Sequence, residues 1–145
     1  MRIYLDVSCL DRAFDDQSQQ RIRIETEAIS LVFDRFERGE WTHVSSEMAR
    51  IEIEAMPDLG RRRLVNILLP DPSDIMPLTA RVFERAETLT GLGIAAADAV
   101  HLACAEAQHS DILLSCDDRL VRRAHRLRRR LAVEVENPLI WIERQ

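Results

Sequence analysis

The sequence predicts an α/β fold in which helices cover both faces of a central, mostly parallel β-sheet. Short apolar runs that suit buried strands alternate with longer segments of helical periodicity, which is the pattern of parallel α/β proteins. The chain has 145 residues, of which 46% are hydrophobic and 31% charged, a balance that suits one globular core. No linker or internal repeat divides the sequence. We therefore expect residues 1–145 to form a single domain.

Apolar periodicity predicts the elements of the N-terminal half. Residues 3–5 form an apolar run that predicts a buried strand, and residues 41–44 predict a second strand. Between them, residues 21–38 predict a helix. The apolar residues that share one face of this helix are Ile24, Ala28, Leu31, Val32 and Phe36. The acids assigned to solvated helix faces include Glu25, Glu27, Glu37, Glu84 and Glu87. Serines after the second strand can cap a helix that extends to about Met56.

The C-terminal half continues this alternation. Three prolines make residues 58–77 irregular, although residues 61–69 can form a short helix. Further helices are predicted at 78–89, 95–109 and 119–131, and further strands at 112–114 and 132–135. Asn137 and Pro138 then predict the start of a terminal turn or helix.

Composition and charge exclude several classes of protein. The three cysteines form no paired motif, which argues against a disulfide framework or a zinc–thiolate site and favours a reducing cytoplasm. No apolar run approaches the ~20 residues that span a bilayer, so we expect no membrane association. A formal net charge of −5 argues against general attraction of polyanions. Seven arginines within residues 117–130 instead predict one local contact with anions.

Polar residues at the predicted strand ends locate a functional site. The residues that close or directly follow a strand are Asp6, Ser45, Ser46, Ser115 and Asp117. Because the carboxyl ends of parallel strands meet at one edge of a sheet, these side chains should lie close together. An acid at a strand end can instead form a local turn, and Asp117 can instead cap the next helix.

Two further acids occupy positions that helices usually give to apolar residues. On a helix over 47–56, Glu52 falls near the middle of the apolar arc. The helix at 95–109 is apolar nearly all round, and Asp98 and His101 are the only polar residues in its first two turns. A buried carboxylate is costly unless it is paired or bound to a cation. Glu52 can therefore pair with an arginine, and Asp98 can complement the helix dipole. We interpret His101 as a hydrogen-bonded core residue.

Together the acids predict a divalent-metal site. Four carboxylates, those of Asp6, Glu52, Asp98 and Asp117, cannot lie within a few ångströms of one another without a cation between them. Oxygen-only donor sets suit Mg²⁺ or Mn²⁺ rather than zinc. Such ions stabilise the attacking and leaving oxygens of a phosphodiester displacement. The chain has no lysine, which argues against a receiver domain, and no glycine-rich phosphate-binding loop.

Four segments, in order, resemble the motifs of PIN domains. Residues 5–10 (LDVSCL) resemble the opening motif, in which an Asp is followed two residues later by Ser or Thr. Residues 46–52 are similar to the second motif, a Glu-bearing helix after the second strand. Residues 97–103 (ADAVHLA) match the segment D-A-x-H-L-A, and residues 114–117 (LSCD) match T-x-D with Ser in place of Thr. The resemblance therefore covers nearly the whole chain.

This resemblance implies a three-layer α/β/α fold and an Mg²⁺- or Mn²⁺-dependent ribonuclease. It assigns metal binding and catalysis to the four acids, and a supporting role to the hydroxyls of Ser8 and Ser115. Because Asp118 follows Asp117, the fourth acid can also be assigned one position later. Compact members are commonly VapC-type ribonuclease toxins, so the resemblance also implies a small antitoxin partner and a homodimer. The alternative is a non-catalytic PIN-fold module that binds RNA or protein.

The arginine-rich segment predicts a contact with the RNA backbone. On a helix over 119–131, five arginines share one stripe opposite an apolar one. These arginines are Arg119, Arg122, Arg123, Arg126 and Arg130. We select Arg122 and Arg126 as substrate-binding residues. A solvated basic face or a contact with the antitoxin is the alternative.

Overall fold

The computed structural model describes residues 1–145 as a five-stranded sheet with helices on both faces. The strands are β1 (Arg2–Leu5), β2 (Thr42–Ser46), β3 (Ile75–Met76), β4 (Ile112–Leu114) and β5 (Glu134–Glu136). The helices are α1 (Val7–Leu10), α2 (Gln20–Glu37), α3 (Glu47–Glu54), α4 (Leu59–Ile67), α5 (Ala80–Gly91), α6 (Ala96–Ala107), α7 (Asp118–Arg126) and α8 (Pro138–Ile142). Two short 3₁₀ helices lie at Arg12–Phe14 and Pro72–Asp74. The strand order is β3-β2-β1-β4-β5, and all neighbouring strands are parallel.

The two faces of the sheet are buried against different helices. Along β1, Ile3 and Leu5 contribute to one core, whereas Tyr4 between them contributes to the other. The core on the Tyr4 side includes residues of α5, α6 and α7. The core on the opposite side includes residues of α1, α2, α3, α4 and α8. The predicted α/β class with helices on both faces is therefore confirmed, and burial of both faces explains why the strands are continuous apolar runs.

The register of the sheet determines which polar residues become neighbours. Leu5 of β1 opposes Leu114 of β4, so Asp6 and Ser115 lie side by side just beyond these strands. The pairing of β1 with β2 brings Ser46 to the same edge. The sheet thus gathers residues from three strand ends at its carboxyl edge, as the sequence predicted.

The predicted elements differ from the structure mainly at residues 58–77 and after α7. The short helix that the sequence allowed at 61–69 is present as α4, two residues earlier, but the same segment also contains the two-residue strand β3, which is too short to carry a periodic signal. Helix α7 ends at Arg126, so Arg130 lies outside it. There the chain turns towards β5, since Arg85 donates to the Arg130 carbonyl at 2.7 Å and Glu106 accepts from the Ala132 amide at 3.0 Å.

Glu25 corrects the predicted orientation of α2. The sequence placed Glu25 on the solvated face, but its side chain is 1% exposed. The buried stripe of α2 comprises Ile22, Glu25, Ala28, Ile29 and Val32, and Leu31 of the predicted apolar face is 53% exposed. The helix is rotated because Glu25 accepts a hydrogen bond from Arg12 Nη2 at 2.8 Å and another from the Asn137 amide. These contacts hold α2 to the segments before and after it.

The cysteines and the helices have two further properties. All three cysteines are buried and free. Every helix is either too short or too polar to traverse a lipid bilayer.

Candidate metal site at the carboxyl edge of the sheet

Asp6 is held at the end of β1 by two serine hydroxyls. Ser8 Oγ donates to Asp6 Oδ2 at 2.8 Å, and Ser115 Oγ donates to the same oxygen at 2.7 Å. The backbone fixes both hydroxyls in turn, because Ser8 Oγ accepts from the Cys116 amide and Ser115 Oγ accepts from the Asp117 amide, each at 3.0 Å. Asp6 Oδ1 has no hydrogen-bond donor. The serines therefore orient Asp6 and leave one of its oxygens free.

Glu52 projects from α3 towards Asp6 and is paired with a histidine rather than an arginine. Its Oε1 lies 2.6 Å from Nε2 of His101, and no arginine forms an ion pair with it. The same Nε2 is 3.9 Å from Asp6 Oδ1. One ligand-type atom from each of Asp6, Glu52 and His101 lies within 4.8 Å of the other two. The buried Glu–Arg pair considered from the sequence is thus absent.

His101 continues into a chain of buried hydroxyl groups. Its Nδ1 lies 2.6 Å from the hydroxyl of Tyr4, which lies 2.6 Å from Oγ of Ser46. Burial raises the pKa of the Tyr4 hydroxyl well above its usual value. For His101, burial lowers the pKa, but the hydrogen bond to Glu52 and the negative charges of Asp6 and Glu52 outweigh that effect, so the pKa is raised.

Sequence patterns predict Glu52 as a site residue and His101 as a core residue, but they do not indicate Tyr4 as a site residue. Tyr4 was counted only as part of an apolar strand. The available signal was its chemistry, because a tyrosine in a buried strand needs a hydrogen-bond partner for its hydroxyl.

Asp98 lies in the first turn of α6 without a hydrogen-bond or ion-pair partner. Burial is the largest cause that raises its pKa from 3.8 to about 6, and the negative charges of Asp6 and Asp117 raise it further. No donor forms a hydrogen bond with this carboxylate, and the charge of His101 offsets only part of the effect of burial and of the neighbouring acids. An oxygen ligand in this state suits a divalent cation.

Asp117 and Asp118 have different surroundings. Asp117 caps α7, with its Oδ1 accepting from the amides of Arg119 at 2.9 Å and Leu120 at 3.4 Å. Asp118 instead pairs with Arg21 of α2, which lowers the pKa of Asp118. Asp117, and not Asp118, therefore lies on the side of the loop that faces Asp98.

The site acids differ from many other acids of this protein because none of them forms an ion pair with arginine. Arginine forms ion pairs with many carboxylates outside the site, among them those of Asp11, Glu25, Glu106 and Asp118. No arginine forms an ion pair with any of the four predicted site acids, although the chain contains 20 arginines. Hydroxyls, an imidazole and backbone amides donate hydrogen bonds to Asp6, Glu52 and Asp117, whereas Asp98 has no hydrogen-bond partner.

A cleft of about 460 Å³ lies against two of the four acids, Asp98 and Asp117. The charged residues that line it are Asp98, Asp117, Arg119 and Arg123, and the remaining lining residues are Thr90, Gly93, Ile94, Ala95 and Leu120. Arg123 donates to the carbonyl of Gly93, whose φ of +98° favours glycine. Arg122 and Arg126 are exposed on α7 but do not line this cleft.

Comparison with known proteins gives a family and two similar structures. The model of the PIN domain family matches residues 3–126. No curated protein matches the sequence. The structure is similar to that of FitAcB from Neisseria gonorrhoeae, with a TM-score of 0.59 and 18% identity over 94% of this chain and 97% of that one. FitAB bound to an IR36 DNA fragment is similar with a TM-score of 0.53 and 17% identity, over 94% and 95% of the two chains.

These comparisons agree with the observed architecture. Identities this low establish a likeness of fold only, whereas the family match extends from β1 to the end of α7 and spans all four predicted site acids. The chain therefore belongs to the PIN domain family.

Proposed function

We propose that this protein is an endoribonuclease that requires Mg²⁺ or Mn²⁺. The observation that carries the proposal is that Asp6 and Glu52 converge without an arginine partner and that their negative charges raise the pKa of Asp98, which lines a cleft. Membership of a family whose members are generally metal-dependent nucleases supports the same function. The oxygen donors of the three acids fit a hard divalent cation.

Each site residue has a role in this proposal. Asp6, Glu52 and Asp98 hold the metal ion, and Asp117 contributes directly or through water. The ion, when bound, supplies an activated water molecule and stabilises charge on the phosphodiester. Ser8 and Ser115 fix the orientation of Asp6 through its Oδ2 and leave Oδ1 available.

The cleft beside the acids provides a path for the RNA backbone. Arg119 and Arg123 line it together with Asp98 and Asp117, so two positive charges face two negative ones. Neither arginine forms an ion pair with an acid, and a divalent ion at the acids would reduce the negative charge that repels phosphate groups from this cleft. We propose that these two arginines contact the RNA, in addition to the role that the sequence predicts for Arg122 and Arg126.

The wider biological role rests on the resemblance to VapC-type toxins. We propose a single-domain cytoplasmic toxin that is inhibited by a small antitoxin and forms a homodimer. Exposed apolar side chains, including Leu31 and Phe83, provide surface for such partners. The alternative is a PIN-fold module that binds RNA or protein without cleaving it.

Cleavage assays separate the enzyme from the module. Labelled single-stranded RNA incubated with Mn²⁺ should be cut, and EDTA should abolish cleavage. Asp6→Asn should lower the rate by more than about 100-fold, since residues that merely orient ligands already cost about 10–100-fold. Asp118→Asn is the matched control and should retain activity, because Asp118 pairs with Arg21 away from the cleft. RNA binding without cleavage would favour the module, and cleavage that survives EDTA would contradict the metal site.

Asp98→Asn tests the crowding of the acids through stability. In EDTA at pH 7.5, the variant should melt at a higher temperature than the wild type, since it removes one of several like charges at nearly constant volume. Because Asp98 is partly exposed, we expect a gain of only about 1 kcal/mol, or roughly 3–4 °C for a chain of this size. Saturating Mn²⁺ should reverse the order, because the wild type binds the ion more tightly.

The gain from Asp98→Asn should depend on pH. The pKa of about 6 in the folded protein exceeds the ordinary 3.8, so the folded state binds this proton more tightly than the unfolded chain. The wild type therefore loses stability as pH rises between these values, and the variant does not. Asp118→Asn should behave oppositely, because the pKa of Asp118 is lowered by Arg21. Thermal melts from pH 4 to 8 in EDTA measure both effects, and a destabilised Asp98→Asn protein would contradict the proposed crowding.

Salt-dependent binding tests the path of the RNA along α7. In EDTA, Arg119→Gln with Arg123→Gln should weaken binding of single-stranded RNA and reduce the slope of log K against log salt by about 1.4, which corresponds to two phosphate contacts. The pair Arg122→Gln with Arg126→Gln, on the same helix, tests the sequence-based prediction under identical conditions. A contact along all of α7 reduces the slope in both pairs, and a contact confined to the cleft reduces it in the first pair only. An unchanged slope in both pairs would exclude α7 from the RNA path.

A further inference from the structure

We propose that Tyr4 and His101 are positioning residues that orient the Glu52 carboxylate for the divalent cation, at the end of a buried hydrogen-bond chain that begins at Ser46. This inference rests on the proposed function, because it concerns a ligand of the proposed metal site. It assigns a role to two residues that do not themselves contact metal or substrate.

The chain of contacts joins four elements of the fold. Ser46 ends β2, Tyr4 lies in β1, His101 lies in α6 and Glu52 lies in α3. The three consecutive heavy-atom distances along this chain are 2.6 Å each. Ser46, Tyr4 and His101 are fully buried, so water does not compete for these hydrogen bonds. The position of Glu52 is therefore coupled to the core of the sheet rather than to the surface of α3.

The chemistry of the carboxylate fixes the direction of the hydrogen bond at Glu52. An ionised carboxylate can only accept, so the proton between Glu52 and His101 belongs to Nε2 of the imidazole, whether the ring is neutral or protonated. A neutral ring accepts at Nδ1 from the Tyr4 hydroxyl, whereas a protonated ring donates from Nδ1 to the Tyr4 oxygen. In both states each buried polar atom of the network has a partner, and Nε2 donates to Glu52.

The same proton assignment excludes His101 from the metal ligands. An Nε2 that carries a proton has no lone pair for a cation. The imidazole instead occupies Oε1 of Glu52 and leaves Oε2 for the metal. Asp6 likewise has one hydrogen-bonded oxygen and one free oxygen, because Ser8 and Ser115 both donate to its Oδ2 and leave Oδ1 without a donor. Partners of this kind orient metal-binding carboxylates, and their loss typically costs about 10–100-fold in metal affinity or activity.

A purely structural role for Tyr4 would have different consequences. Tyr4 is the only tyrosine of the chain, and its ring packs in the core with the aliphatic residues of α6. Phenylalanine retains the ring and removes only the hydroxyl. If the hydroxyl contributes only to the stability of the core, Tyr4→Phe changes the melting temperature and leaves the metal affinity of the folded protein unchanged.

The test is calorimetric titration of the metal-free protein with Mn²⁺ at a temperature well below unfolding. Tyr4→Phe should raise the Kd for Mn²⁺ by about 10–100-fold. His101→Leu should have a similar effect, whereas His101→Gln, whose amide can still donate to Glu52, should recover much of the affinity. His43→Leu is the matched control. His43 is a buried histidine of β2 whose Nε2 has no hydrogen-bond partner, and it takes no part in the hydrogen bonds from Ser46 to Glu52. Its Kd should equal that of the wild type.

A double-mutant cycle makes the test specific for Glu52. In a Glu52→Gln background, Tyr4→Phe should change the Kd less than about twofold, since the oriented carboxylate is already gone. Additive effects of the two substitutions, or an unchanged Kd in both Tyr4→Phe and His101→Leu, would overturn the inference and leave the proposed function intact. A wild-type protein that does not bind Mn²⁺ would overturn both.

Discussion

Repulsion among carboxylates at the carboxyl edge of the sheet is the constraint around which this structure is organised. The parallel register brings the ends of β1, β2 and β4 together, and α6 adds Asp98 to the same place. Two cores, one on each face of the sheet, keep the strands in this register. The acids therefore cannot separate without disturbing the fold. Burial and, after it, the negative charges of Asp6 and Asp117 raise the pKa of Asp98.

The choice of partners distinguishes this site from the structural ion pairs of the same protein. Glu25 is more deeply buried than Glu52, yet it is compensated by Arg12 and by the Asn137 amide. Glu52 and Asp6 instead receive hydrogen bonds from an imidazole and from hydroxyls, and from no arginine. Such partners fix geometry while they preserve the negative charge that attracts a cation. A buried acid without an arginine is thus a more specific sign of a metal site than burial alone.

The sequence predicted the fold and the proximity of the strand-end residues because both follow from local patterns. Alternation of short apolar runs with amphipathic segments sets the parallel sheet, and the sheet sets which ends meet. The rotation of α2 could not be predicted, because it depends on Arg12 and Asn137, which are distant from Glu25 in sequence or on another element. The two-residue strand β3 was missed because its pairing with β2 is a tertiary contact without periodicity.

Within the site, too, only some of the side chains could be predicted from the sequence. Asp98 was identified because it interrupts an apolar helix, whereas Tyr4 was hidden because its ring suits a buried strand. Only the fold reveals that its hydroxyl reaches His101. Likewise, the spacing of the arginines on α7 predicted a basic stripe, but the orientation of α7 against α6 decides that Arg119 and Arg123 line the cleft.

The most direct test of the metal site is a crystal structure of the protein grown with Mn²⁺, with the anomalous signal of the ion used to locate it. The account predicts a peak beside Asp6, Glu52 and Asp98, with their oxygens at roughly 2.0–2.2 Å from the ion and Nε2 of His101 still bonded to Glu52. A peak coordinated by His101, or no peak near these acids at saturating Mn²⁺, would contradict it.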